Sequence, residues 1–275
     1  MTPRMSQGCT IVLLLAMMLA IAAGLMAWGA MPVTASHHLY ADSRSRFGLP
    51  HTVDVLACLP LVAAAVWGIA TTRRSRWPVA LRRPMIGFFA LCAAMSVTAA
   101  AYHLSPGDAG FVLTHVFAAG ALTALLLAFM AERIDAMFGA GPGCAAGIGV
   151  VACAALWWYA GQWASGQGDL RALLFLESLP LLLVPAGALS LPGRQTTAVD
   201  WRLMLGLYLV ARVAGFADAA VYAVTGGLSG HATMHLLLAG VAGWLAYRTS
   251  VAPEAHSSGA AADPTQRSTS LNTSS

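Results

Sequence analysis

Charged residues are scarce in this chain. Only 9% of its 275 residues are charged, whereas a soluble domain carries about 25%. No residue is lysine, so all 15 basic side chains are arginines. Hydrophobic residues make up 58% of the chain, and the mean hydropathy is +0.70. This composition excludes an ordinary soluble enzyme, and the net charge of +4 does not indicate a nucleic-acid partner, because loop arginines of this kind set membrane orientation.

Several sequence motifs are also missing. The five cysteines show no C-x-x-C spacing, and four of them lie in apolar runs. We therefore expect buried small side chains, neither a disulfide framework nor a thiolate metal site. The chain has no glycine pattern of a nucleotide-binding loop and no G-x-S-x-G elbow. It also lacks an obvious internal repeat or an inverted pair of broken helices, which disfavours a transporter.

Eight apolar runs are long enough to cross a bilayer as helices. The sequence predicts an all-α, polytopic membrane helix bundle with spans at 10–33, 52–71, 84–103, 111–131, 143–159, 170–191, 201–224 and 231–248. The first run is longer than a usual signal-peptide core, which favours an uncleaved helix over a cleaved signal peptide.

The predicted spans divide the chain into three parts. Residues 1–36 hold an N-terminal membrane helix that can act as a signal anchor, and residues 37–249 hold a seven-helix membrane core. Residues 250–275 are rich in serine, alanine and threonine, and we expect a disordered tail there.

Loop charge predicts the orientation of the bundle. Five arginines in the loop 72–83 place that loop on the cytoplasmic side, and eight spans then put both termini there. Seven ionisable side chains from six spans fall in the outer half of the bilayer. Such residues are costly in a membrane and usually face a cavity or a partner, so we expect a shared polar pocket formed by Asp54, His103, His115, Glu177, Asp218, His231 and His235.

Two features in this half indicate specific interactions. His231 and His235 are four residues apart on a predicted helix, so they share one face and can bind one metal ion, although a pair that only makes hydrogen bonds is also consistent with the spacing. A third histidine would complete a common catalytic zinc shell, whose bound water has a pKa of about 7. A zinc site of this kind typically hydrolyses an amide or an ester. In the outer half of a bilayer, we expect that bond to belong to a lipid. Arg212, near mid-span, is expected to pair with Glu177 or Asp218.

Much of the chain from 38 to 240 resembles a known family. The similar stretches are HLYADSRSRFGLPHTVDVLACLPLVAAAVWGI, AAAYHLSPGDAGFVL, LAFMAERID, GDLRALLFLESLPLLLVP and FADAAVYAVTGGLSGHATMHLLLAG. They resemble the bacterial branch of the alkaline ceramidase family, within the seven-span membrane hydrolase superfamily that includes adiponectin-receptor type proteins. The resemblance implies a bacterial inner-membrane protein that uses zinc, held by His103, His231 and His235, to cleave an amide bond in a sphingolipid-like or other N-acyl lipid.

The chain departs from the family where residues assist the metal. Ala99 and Thr114 occupy positions where the family has a serine and an aspartate. The candidates for replacing them as base or water-orienting group are His115, Asp108 and Asp218. The alternative is a catalytically impaired member of the fold that binds or senses lipid. A histidine-lined channel is disfavoured, because the inner halves of the spans lack polar residues.

Overall fold

The computed structural model describes residues 6–251, and this part of the chain is a bundle of nine α-helices. Short 3-10 turns cover Ala35–His38 and Ala136–Gly139. The predicted all-α class is confirmed; of the predicted tail, residues 252–275 lie outside the described part. The α-helices are α1 (Gln7–Trp28), α2 (Thr52–Arg74), α3 (Val79–Leu104), α4 (Asp108–Arg133), α5 (Gly141–Ser165), α6 (Arg171–Ser190), α7 (Ala198–Phe216), α8 (Asp218–Thr225) and α9 (Gly230–Ser250).

The number of membrane-spanning helices differs from the predicted eight. Helices α1 to α6 are each long and apolar enough to cross a bilayer, and α7 with α8 make a seventh if the bent pair counts as one span. Helix α9, the predicted eighth span, does not reach the same mean hydropathy over its length, because His231, His235 and Arg248 lower it.

The predicted seventh span is not one continuous helix. Helix α7 ends at Phe216, and α8 leaves the break at an angle of 85°. Asp218 begins α8, and its carboxylate accepts hydrogen bonds from the backbone N–H groups of Ala41 and His231, both at 2.8 Å. The chain therefore turns at this point and joins the outer loop to the start of α9, which a count of apolar residues does not reveal.

Six helices form a closed ring. Helix α2 packs against α3, α3 against α4, α4 against α6, α6 against α7, α7 against α9, and α9 back against α2. Helices α1 and α5 lie outside this ring, with α1 packed on α6 and α5 packed on α4 and α6. An apolar core formed by residues of α2, α3, α4, α6, α7 and α9 fills the half of the ring nearer to the α2–α3 loop.

The ring has two chemically different ends. One end carries the predicted pocket residues, and we call it the histidine end. The other carries the arginine-rich connection between α2 and α3, and we call it the arginine end. All seven polar residues lie at this end, because His103 ends α3, His115 and Glu177 lie near the starts of α4 and α6, and the others begin α2, α8 and α9. The expected shared pocket is confirmed in part: six of them line one cavity, whereas Asp54 does not line it and most of the lining is apolar.

Candidate metal centre and apolar cavity

Three side chains at the histidine end form a group that can hold a metal ion. Ligand atoms of Cys58, His103 and His235 lie within 4.8 Å of one another, and all three residues are buried. Thiol sulfur and imidazole nitrogen are ligands that zinc and other borderline metals prefer. The group joins three helices, α2, α3 and α9, which are distant in sequence but adjacent in the ring.

His231 brings a third imidazole to the same point. Its Nε2 atom lies 3.3 Å from Nε2 of His103 and 3.1 Å from Nε2 of His235. Ligands bound tetrahedrally at 2.0–2.1 Å from a metal are roughly 3.3 Å apart, so these separations fit one shared ion. The Nδ1 atoms of His103 and His235 are buried and have no hydrogen-bond partner among residues 6–251. The predicted set of three histidines is therefore brought together, with Nε2 as the converging atom of each ring.

The start of α9 is held in place by polar contacts. Ser229 caps the helix, with its hydroxyl accepting from the N–H of Ala232 at 2.9 Å and donating to Asp54 at 2.9 Å. Asp218 accepts from the N–H of His231 at 2.8 Å. Both carboxylates thus satisfy donors at the beginning of α9, where unpaired N–H groups favour negative charge. They fix the start of α9 and so the direction in which the side chains of His231 and His235 project.

A folded loop covers the histidines. The ring of Tyr40 lies 4.9 Å from the ring of His103 and 4.8 Å from that of His231, measured between centroids. Burial raises the pKa of Tyr40 well above its ordinary value, so its hydroxyl stays protonated. The Tyr40 ring therefore shields the imidazoles of His103 and His231 from bulk water.

Ion pairing keeps this loop in position. Arg44 donates from Nε and Nη2 to the carboxylate of Asp42, each at 2.7 Å, and from Nη2 to the carbonyl oxygen of Gly227 at 2.8 Å. Hydrogen bonding to Arg44 holds the pKa of Asp42 below its ordinary value. The loop is thereby tied to the turn that precedes α9.

A large apolar cavity opens beside the imidazoles. Its volume is about 580 Å³, within the range of sites that bury whole ligands. The three histidines line one part of it, and its walls come from all six ring helices. Most of the lining is aliphatic or aromatic and includes Leu61, Phe88, Leu125, Val184, Trp201, Met204, Val241 and Ala242. A cavity of this shape and chemistry suits a hydrocarbon chain.

The three catalytic candidates occupy different surroundings. His115 lines the cavity, and its Nδ1 atom lies 2.7 Å from Oε1 of Glu177, which also lines it. Asp218 reaches the cavity wall, but both of its oxygens accept backbone N–H groups. Asp108 is half-exposed and lies 2.9 Å from Nε2 of His38, away from the cavity lining. Of the three, His115 alone combines access to the cavity with a side-chain acid partner.

The two positions that depart from the family pattern lie at the site. Ala99 and Thr114 both line the cavity. The Thr114 hydroxyl donates to the carbonyl oxygen of Gly110 at 2.9 Å, and it lies 3.4 Å from the hydroxyl of Thr98. The hydroxyl of the nearby Ser96 is buried and donates to the carbonyl oxygen of Cys58 at 2.6 Å.

Three features of the site were not predicted correctly from the sequence. Cys58 is buried as expected, but it lies among possible metal ligands, which the absence of C-x-x-C spacing did not suggest. Tyr40 belongs to a polar loop for which no role at the site was predicted. Arg212 lines the cavity but forms no ion pair with Glu177 or Asp218, so the expected pairing is wrong. These contacts join different helices and loops, so helix periodicity does not predict them. The histidines and tyrosine of residues 37–40 were the one feature of the sequence that could have indicated the role of this loop at the site.

Comparisons of the chain with protein-family models, with curated proteins and with solved structures found no match. The membrane-type helical bundle, the group that can hold a metal ion and the apolar cavity are therefore the features that bear on its function.

Proposed function

We propose that the protein is an integral membrane, zinc-dependent hydrolase of ceramidase type that cleaves the amide bond of a sphingolipid-like or other N-acyl lipid. The observation that carries the proposal is the convergence of three Nε2 atoms, from His103, His231 and His235, beside an apolar cavity of about 580 Å³. The cavity suits the acyl chain, and the imidazoles that line one part of it would meet the amide linkage.

The histidine shell supplies the chemistry. Zinc bound by three imidazoles activates water at neutral pH and polarises a carbonyl group. In this chain His103, His231 and His235 would hold the ion, and Asp218 orients His231 through its backbone N–H. The Tyr40 ring packs against the imidazoles of His103 and His231 and limits the access of water to them.

His115 is the proposed proton carrier. Its Nδ1 atom lies within hydrogen-bond distance of Oε1 of Glu177, at 2.7 Å. This contact fixes the ring and favours the tautomer that carries hydrogen on Nδ1. Nε2 then has a free lone pair and makes no hydrogen bond to any residue from 6 to 251. A base in this state can take a proton from water and return it to the leaving amine.

Metal analysis of the detergent-purified full chain tests this proposal. We expect about one zinc per chain, which is lost in His235→Ala together with hydrolysis of a ceramide or another N-acyl lipid. Thr233→Ala is the matched control, because it removes a side chain from the same turn of α9 without removing a ligand atom. Protein that is free of zinc after purification without chelators, or hydrolysis that continues without metal, contradicts the proposal.

A second function is favoured by the residues at 99 and 114. Ala99 provides no hydroxyl group and Thr114 no carboxylate at the cavity wall, and loss of such helpers commonly costs 10- to 100-fold in metal affinity or activity. A protein that binds or senses lipid without hydrolysing it would have this composition. Zinc-loaded protein that retains an intact N-acyl lipid after long incubation would support this alternative, and sustained turnover would refute it.

A further inference from the structure

Arg212 lies in the wall of the cavity and has no carboxylate partner among residues 6–251. It lies in α7, one turn before the break, and is partly buried. Its contacts are weak ones: Nη1 lies 3.8 Å from the sulfur of Met234, and the guanidinium carbon lies 5.4 Å from the ring centroid of Phe216. Among residues 6–251, no carboxylate oxygen lies within 4.0 Å of it.

The two carboxylates that could neutralise Arg212 are engaged elsewhere. Glu177 binds His115 at 2.7 Å. Asp218 accepts the N–H groups of Ala41 and His231. Charged side chains within membrane segments normally face a partner or an aqueous cavity. The missing partner is therefore to be sought among molecules that enter the cavity.

Arg212 places a positive charge next to the apolar part of the cavity. Met234, which Arg212 contacts, precedes the ligand His235 on α9. Along the same helix, the cavity continues as far as Ala242, about 12 Å further at 1.5 Å per residue. An anionic group at the guanidinium thus has the imidazoles beside it and an apolar chamber beyond it.

We propose that Arg212 binds the carboxylate of a long-chain fatty acid whose hydrocarbon tail occupies the apolar cavity. A guanidinium presents paired N–H donors that match the two oxygens of a carboxylate, and its single charge is balanced by one carboxylate. The proposal goes beyond the hydrolase function and does not require it, because the contact involves neither the metal nor turnover. If the hydrolase function holds, this ligand is the product of amide cleavage.

Direct binding to the purified full chain tests the proposal. The probes are palmitate, hexadecanol and hexadecyl phosphate, each measured with zinc-loaded and with chelator-treated protein. We expect palmitate to bind about tenfold more tightly than hexadecanol in both metal states, which corresponds to one charge-assisted contact. Arg212→Gln should abolish this preference while hexadecanol still binds, because the apolar cavity remains.

Two further variants make the comparison specific. Arg202→Gln is the matched control, since Arg202 is an exposed arginine of the same helix whose Nε donates to the carbonyl oxygen of Ala198. It should keep the full preference for palmitate. Arg212→Lys retains the charge but loses the paired donors, and we expect an intermediate preference. This variant also provides the test if Arg212→Gln cannot be purified, because an unchanged preference in Arg212→Lys would overturn a bidentate contact.

Three other results would overturn the proposal. If Arg212→Gln keeps the preference and chelation removes it, the metal holds the carboxylate. If hexadecyl phosphate binds more tightly than palmitate and only Arg212→Gln removes that difference, the ligand is a lipid phosphate. Equal binding of palmitate and hexadecanol by the native chain would show that Arg212 does not select an anion.

Discussion

At the arginine end of the bundle, charged side chains of α4 bind polar groups of the connection between α6 and α7, whereas at the histidine end imidazole nitrogens converge on one another beside an apolar cavity. Glu132, at the end of α4, accepts hydrogen bonds from the backbone N–H groups of Gln195 and Thr196. Its neighbour Arg133 donates to the carbonyl oxygens of Leu191 and Thr196. These contacts join α4 to the connection between α6 and α7, so the charges serve the fold.

The histidine end differs in what its polar atoms contact. Nε2 of His231 lies 3.3 Å from Nε2 of His103 and 3.1 Å from Nε2 of His235, so the imidazoles face one another. Arg212 has no carboxylate oxygen within 4.0 Å among residues 6–251. A bound ion and an anionic ligand are the partners that we propose for these groups.

The largest effect on stability is expected from breaking the network at the arginine end. Arg133→Met leaves Glu132 as a buried charge beside an apolar side chain, which should lower the free energy of unfolding by about 3 kcal/mol or more. Thermal denaturation in detergent measures the loss, and metal analysis of the remaining folded protein should give unchanged zinc. Arg202→Met is the control at an exposed site on α7. Loss of zinc from folded Arg133→Met protein would show that the two ends are not independent.

The next largest effect is expected from moving the histidines of α9 without changing any metal-ligating residue. Gly230 begins α9, and a Cβ atom there would lie 2.7 Å from the Cα atom of Asp218 and would also meet the carbonyl oxygen of Ala214. Gly230→Ala should therefore displace the start of α9 and weaken zinc binding at least tenfold, as loss of orienting contacts does. Zinc affinity can be measured by competition with a chelating dye.

A matched glycine provides the control for this prediction. Gly240 lies in the same helix, and a Cβ atom there has no neighbour within 4 Å. Gly240→Ala should bind zinc like the native chain. If both variants bind zinc normally, the packing of α9 against the α7–α8 break does not position the imidazoles.

Restoring a carboxylate tests whether the histidine end is an incomplete catalytic site. Thr114→Asp should raise the turnover of an N-acyl lipid by about tenfold, because the residue lines the cavity and a nearby carboxylate can orient water. Thr114→Asn has nearly the same shape without charge and should show no increase. Turnover that is absent in the native chain and appears only in Thr114→Asp would instead favour the lipid-binding alternative.

The smallest effect is expected from a polar group of the histidine end that already has a partner. The Cys58 thiol donates to the carbonyl oxygen of Asp54 at 3.3 Å, one turn back along α2. We expect Cys58→Ser to keep zinc affinity within about twofold, since three histidines and a water complete a catalytic shell. Cys92→Ser is the control, because Cys92 is also buried but lies outside the group of possible metal ligands. A thiolate-to-metal absorption band in cobalt-substituted protein that disappears only in Cys58→Ser would contradict this prediction.

Much of the fold follows from local patterns. Runs of about 20 apolar residues can satisfy their backbone groups in a bilayer only as helices, so composition predicted the all-α bundle. The spacing of His231 and His235 placed them on one face, because residues four apart in a helix are neighbours. The prediction failed at residues 217 and 218, where α7 breaks, since the direction of a helix beyond a bend depends on contacts with the 39–51 loop and α9.

The sequence by itself determined that this chain is a membrane-type helical protein with a histidine pair on one helix and clustered polar residues at one end. Only the tertiary structure decided which of those residues meet. His103 reaches a residue 128 positions later in the chain, Tyr40 covers both, and Arg212 is separated from the carboxylates expected to pair with it. The physical reason is that contacts within a helix follow from its period, whereas contacts between helices depend on rotation and tilt, which are set by packing.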